Sequence, residues 1–130
     1  MSKAFPRPIL DLPEADIPIN GLTAYLSQGA KHQIIFMEFS EDVEIPEHFH
    51  ESQWGIVIEG KIELIINGVK NIFVKGDRYY IPKDAHHSAK IYSGYADMTF
   101  FNQSDRYKEK KQKMHKQLTI NNEWFDWEIK

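Results

Sequence analysis

Three histidines stand in two short segments whose spacing can bring imidazoles together. The first runs Pro46-Glu47-His48-Phe49-His50-Glu51-Ser52-Gln53-Trp54-Gly55, and the second runs Gly76-Asp77-Arg78-Tyr79-Tyr80-Ile81-Pro82-Lys83-Asp84-Ala85-His86-His87. In an extended strand, residues two apart face the same way. His48 and His50 therefore form half of a nitrogen donor set, with Phe49 on the opposite face. A short turn at Glu51-Ser52 starts the next strand at Gln53; the Glu51 carboxylate and the Gln53 amide each offer an oxygen donor. His86 and His87 offer a third imidazole from a later segment. The chain has no cysteine, so thiolate ligands and disulfides are excluded. Nitrogen and oxygen donors of this kind suit a divalent transition metal: Mn, Fe, Co, Ni, Cu or Zn. Gly55 shares a face with Gln53 and Val57; if that face is inward, its missing side chain leaves room beside the metal.

Three imidazoles and an amide give a divalent ion no compensating negative charge. Such a site attracts anionic oxygens and acidifies bound water. The expected partner is a small anionic or oxygenated molecule in the open coordination positions. Glu38 lies on the same face of a strand as Ile34 and Phe36 and, if inward, is the candidate catalytic proton carrier. Tyr79, Tyr80 and Tyr92 flank the second segment as candidate pocket lining or as packing.

The elements that must position these groups are strands. Residues 22–26, 32–39, 54–59, 62–66, 71–75, 78–81, 89–92 and 96–101 are rich in β-formers and punctuated by turns. Gly60-Lys61 reads as a tight hairpin, Asn67-Gly68 as a two-residue hairpin turn, and Gly76-Asp77 as a further turn. Strands at this spacing without intervening helices predict an all-β antiparallel sandwich or barrel over residues 21–102. Residues 1–20 carry Pro6, Pro8, Pro13 and Pro18, which predicts an extended arm rather than a helix. Ser104 or Asp105 can cap a helix running to Leu118, with Tyr107, Met114 and Leu118 on one stripe. The aromatic tail around Trp124, Phe125 and Trp127 is expected to dock on the barrel or on a neighbouring subunit.

The two histidine segments resemble the paired motifs of the cupin superfamily. His48-x-His50 matches the His-x-His of the first motif, and Gln53 followed six residues later by Gly60 matches its Glu-x6-Gly half. Gly76, Pro82, Asp84 and His87 keep the spacing Gly-x5-Pro-x-Gly-x2-His of the second. Glutamine replaces the family's glutamate, the gap before it is one residue short, and Asp42, Asp84 and Ile91 stand where the pattern has Gly, Gly and Asn. The resemblance covers residues 43–91 and, through the strands, extends to residue 101. It implies a double-stranded β-helix, or jelly-roll barrel, with a metal held by His48, His50, Gln53 and His87. It also implies dioxygenase- or isomerase-type chemistry, or alternatively a non-enzymatic barrel in which the metal anchors a bound effector. A homodimer is implied as well.

At 130 residues the chain is one ordinary domain. No run approaches the ~20 apolar residues of a membrane span, and none has signal-peptide length, so the expected location is the cytoplasm. A net charge of −3 argues against nucleic acid as a partner. The charge is uneven: residues 104–118 hold six Lys/Arg against two Asp/Glu, which fits the solvated face of the expected helix.

Overall fold

The computed structural model describes residues 2–111, 118–120 and 123–125, the last two stretches as backbone alone. Nine strands form the barrel: β1 (Leu22–Gln28), β2 (Gln33–Phe39), β3 (Val43–His48), β4 (Gln53–Glu59), β5 (Lys61–Ile66), β6 (Val69–Val74), β7 (Arg78–Ile81), β8 (His87–Ile91) and β9 (Ala96–Phe101). They divide into a five-stranded sheet in the order β1-β2-β9-β4-β7 and a four-stranded sheet in the order β3-β8-β5-β6. Every pairing is antiparallel. This is the jelly-roll barrel expected from the sequence. A separate antiparallel ribbon pairs β10 (Leu118–Ile120) with β11 (Glu123–Phe125).

Period-two patterning decides which side chains fill the barrel. In β7, Tyr79 and Ile81 are buried while Arg78 and Tyr80 are exposed. In β2, Gln33, Ile35 and Phe39 point inward. The main core joins Val57, Tyr79 and Ile81 of the larger sheet to Ile62, Leu64 and Ile91 of the smaller.

Asn67 and Gly68 both have positive φ, 48° and 82°. They close the β5–β6 hairpin, whose register begins at Ile66 opposite Val69. Two left-handed residues match the strand twist, which is why Asn-Gly is favoured there. The hairpin expected at Gly60-Lys61 does not form, because β4 and β5 lie in different sheets and the chain turns a corner between them. Glycine is needed at that corner on two counts. Its φ is +79°, and a Cβ would lie 2.7 Å from the Tyr95 Cα.

The arm departs from expectation in one place. Arg7–Leu10 form a single helical turn, α1, with Pro6 at its N-cap. Proline in a first turn forfeits only an N–H that has no intrahelical acceptor, so the proline content does not forbid it. The rest of the arm lies along edge strand β1 of its own barrel. The Ala15 N–H donates to the Ala24 carbonyl at 2.9 Å, and the Leu26 N–H donates to the Pro13 carbonyl at 2.8 Å.

The helix expected from Ser104 or Asp105 is absent over residues 104–111. That segment runs back along the arm instead. The Asp16 N–H donates to the Lys108 carbonyl at 2.7 Å, and the Lys110 N–H donates to the Glu14 carbonyl at 2.6 Å. The fully buried Gln33 side chain clamps Tyr107, accepting from its N–H at 2.9 Å and donating to its carbonyl at 2.7 Å. These bonds take up backbone groups that a helix would pair internally. The Tyr107 ring packs edge-on to Phe101, with centroids 5.5 Å apart. Residues 112–117 of the expected helix, and the docking expected of the aromatic tail, lie outside the described residues. Among the described residues no helix is long and apolar enough to cross a membrane.

Candidate metal centre

His48 and His87 face each other across the smaller sheet, as register partners at the end of β3 and the start of β8. His50 reaches the same place differently from the strand alternation expected of it. β3 ends at His48, after a register shift between Ile45 and His48, and His50 lies in the following loop. Its carbonyl accepts from the Asp84 N–H at 2.9 Å, which ties the first histidine segment to the second. Asp84 adopts a φ of 62°, the left-handed conformation that suits the glycine of the family pattern and that Asp tolerates better than most residues.

The three rings form a compact cluster, with centroid separations of 4.2 Å (His48–His87), 4.7 Å (His50–His87) and 5.1 Å (His48–His50). One ligand nitrogen from each lies within 4.8 Å of the others. Each Nδ1 sits against a backbone carbonyl: His48 on Pro46 at 3.0 Å, His50 on Glu51 at 2.7 Å, His87 on Ala85 at 2.8 Å. A carbonyl only accepts, so in the neutral rings Nδ1 carries the proton and Nε2 carries the lone pair. The Nε2 atoms of His50 and His87 are 3.1 Å apart. Two lone pairs at that distance cannot hydrogen-bond each other, and a cation shared between them resolves the conflict. Burial lowers the His50 pKa to about 4 and lowers that of His87 too, against their carbonyl contacts. Both rings are therefore neutral near pH 7, and a metal displaces no proton from either. The donor set fits a divalent transition metal.

The cluster lines a cavity of about 490 Å³ between the two sheets, with Ile45, Leu64, Ile81 and Ile91 among its apolar walls. Gln53, the first residue of β4, lines the same cavity from the larger sheet. Its amide nitrogen donates to the Tyr79 hydroxyl at 3.5 Å, which leaves the amide oxygen as its donor atom for a ligand. Neither alternative ligand is drawn in. The Glu51 carboxylate pairs with Lys83 at 3.4 Å. His86 pairs with Glu47 at 3.1 Å and stacks on Phe49.

Two expectations are corrected here. Gly55 leaves no room beside the metal, because the Tyr79 ring from β7 occupies its empty side: a Cβ would lie 2.2 Å from Tyr79 Cζ. Glu38 is not a group of this cavity. The residues of β2 that line the cavity are Met37 and Phe39. Strand alternation turns Glu38 to the outer face, where its carboxylate accepts from the Tyr25 hydroxyl at 3.3 Å. Of the three tyrosines, Tyr79 lines the cavity, Tyr80 is exposed, and Tyr92 hydrogen-bonds Glu63 beneath the Lys61 ammonium.

The cavity also holds two residues that sequence reasoning passed over, Asp97 and Arg106. Asp97 is only 3% exposed. Its Oδ2 accepts from the hydroxyls of Tyr79 at 2.8 Å and Tyr95 at 2.6 Å, while Oδ1 is buried without a partner. Burial pushes its pKa up to about 6, against the lowering effect of both hydroxyls. A signal was present: Asp97, Thr99 and Phe101 share one face of β9, so an inward Phe101 implies an inward carboxylate.

Residues 35–101 match the cupin domain, and the chain belongs to the cupin family. No curated protein matches the chain. Among solved structures it is similar to an RmlC-like cupin from Shewanella frigidimarina, with a TM-score of 0.64 at 22% identity over 72% of this chain and 86% of that one. It is also similar to oxalate decarboxylase of B. subtilis, with a TM-score of 0.61 at 20% identity over 75% of this chain and 29% of that one. Salicylate 1,2-dioxygenase from Pseudoaminobacter salicylatoxidans gives a TM-score of 0.59 at 17% identity over 66% of this chain and 26% of that one. The chain thus spans under a third of each of these two enzymes. At these identities the likeness speaks to the fold.

Proposed function

We propose that this cupin holds a divalent transition metal on His48, His50 and His87, completed by Gln53, and acts on a small anionic or oxygenated molecule by dioxygenase- or isomerase-type chemistry. The observation that carries the reading is the set of Nδ1–carbonyl contacts, which leaves Nε2 of each ring free for a ligand, in a cluster with one ligand nitrogen of each ring within 4.8 Å of the others. A divalent metal bound there supplies Lewis acidity and open positions for oxygen donors. The chain does the rest. Apolar walls exclude water and strengthen electrostatic attraction to an anion. Asp97 can hold or release a proton near neutral pH, the part first assigned to Glu38. Two of the similar enzymes are named for carboxylates, oxalate and salicylate, which agrees with an anionic ligand. The reading includes a homodimer, for which the exposed Ile72 and Val74, two apart on one face of β6, offer an apolar patch; light scattering tests the dimer.

Cobalt-substituted protein tests the central part. Adding benzoate should perturb the visible Co(II) bands saturably, and Gln53→Glu should weaken that binding about tenfold by adding a negative donor, a loss of about 1.4 kcal/mol. Unchanged or tighter binding in Gln53→Glu would count against a neutral, charge-uncompensated centre.

A further inference from the structure

The segment after β9 brings a cation into the cavity, unpaired among the described residues. Arg106 lines the same space as the three histidines, and its guanidinium lies over the Tyr107 ring at 4.6 Å. Its Nε is buried with no hydrogen-bond partner. None of the ion pairs among the described residues includes it. A cation that only solubilised the surface would stand free in water; this one is partly buried and lines the cavity of the histidine cluster.

Its position is also built. Gln33, fully buried, grips both backbone groups of the next residue, Tyr107. Bonds from Asp16 and to Glu14 hold the segment at Lys108 and Lys110. A planar guanidinium fixed in this way is suited to the two oxygens of a carboxylate. The rest of the cavity narrows the class further. Its walls are largely aliphatic, and its lining carboxylates among the described residues are Asp97, buried with no donor to Oδ1, and Asp16, which is exposed. With one carboxylate taken up by Arg106 beside the open positions of the metal, a further carboxylate at the far end of the ligand would lie against hydrocarbon or near Asp97.

We propose that Arg106 is a specificity-determining residue that binds the carboxylate of a small monoanion with an apolar body, the body lying along the aliphatic wall between the sheets. This rests on the reading of the cavity as a ligand site beside a metal, and goes beyond it by naming a group of the chain that selects the ligand. The apolar wall and Asp97 disfavour a dicarboxylate, and the guanidinium disfavours a neutral molecule relative to an anion.

The test compares three probes by calorimetry at pH 7.5 on metal-loaded protein: 4-methylbenzoate, terephthalate and imidazole. Imidazole is neutral and reports on the metal alone. In the parent, 4-methylbenzoate should bind at least tenfold more tightly than terephthalate. In Arg106→Gln, 4-methylbenzoate should weaken at least tenfold while imidazole changes by less than twofold. Equal affinity for 4-methylbenzoate and terephthalate would overturn the ligand class. Unchanged 4-methylbenzoate binding in Arg106→Gln, or an equal loss for imidazole, would overturn the role of Arg106. No binding of either carboxylate while imidazole still binds would overturn both and leave the metal site standing. Failure of imidazole together with absence of metal would instead sink the metal site itself. Arg106→Lys serves as a second variant: it keeps the charge but loses the fork, and should recover only part of the affinity.

Discussion

The cavity has two polar clusters, and they are held in opposite ways. At the end of the smaller sheet and in the loop after β3, each histidine is fixed by a carbonyl one or two residues away: Pro46 for His48, Glu51 for His50, Ala85 for His87. On the larger sheet, Asp97 is held locally by the Tyr95 hydroxyl, two residues away, but also by the Tyr79 hydroxyl, 18 residues distant. The histidine cluster carries its ring orientation in its local backbone. The acid depends on the register between β4, β7 and β9, which places Gly55 beside Tyr79 and Val57 beside Asp97. Local anchoring leaves a sequence pattern, whereas anchoring through register leaves almost none.

The largest expected effect falls on the register-held cluster. Gly55→Ala drives a methyl into the Tyr79 ring and pulls its hydroxyl from Asp97. Chemical denaturation should show a loss of about 2–4 kcal/mol, combining overpacking with a broken buried hydrogen bond. A loss below about 0.5 kcal/mol would mean that this wall yields and that its geometry is not enforced by register. A smaller effect follows from Tyr95→Phe, which removes one of two donors to the Asp97 Oδ2. About 1–2 kcal/mol should be lost, with metal content unchanged if the two clusters are independent.

The pH dependence separates the clusters most finely, because their signs oppose. The folded pKa of His50 falls from 6.5 to about 4. The unfolded chain then binds more protons between those values, so this group's contribution to stability is lost as pH falls through that window. The folded pKa of Asp97 rises from 3.8 to about 6, so its contribution is lost as pH rises through that range. Thermal melts between pH 4 and 8 with a chelator present should therefore show Asp97→Asn steepening the rise of Tm with pH and His50→Asn flattening it. Identical slopes in both variants would deny that the clusters titrate with opposite signs.

How much was legible follows from the same contrast. The strands were visible because alternation and turn residues are local, and Asn67-Gly68 placed the β5–β6 hairpin. His48, His50 and His87 were visible because the two segments keep a recognisable spacing. Gly60 was visible as a glycine but not as a corner, since a sheet switch depends on Tyr95 approaching from elsewhere in the chain. Glu38 stayed open, as a candidate only if inward, because alternation gives two faces without saying which is inner. The Arg106 segment was misread as helix because its helical stripe was real but its backbone bonds go to the arm and to Gln33, both distant in sequence. Asp97 lay in plain view beside Thr99 and Phe101, and its meaning came only with the two tyrosines that hold it.

The central claim is that three carbonyl-anchored imidazoles hold a metal. Elemental analysis of protein purified without added metal, repeated on His87→Ala, tests it most directly. The account predicts about one equivalent of a divalent transition metal per chain in the parent, falling at least tenfold in a folded His87→Ala variant. A parent free of stoichiometric metal that also fails to take up added Co(II), or a variant that retains the full equivalent, would contradict it.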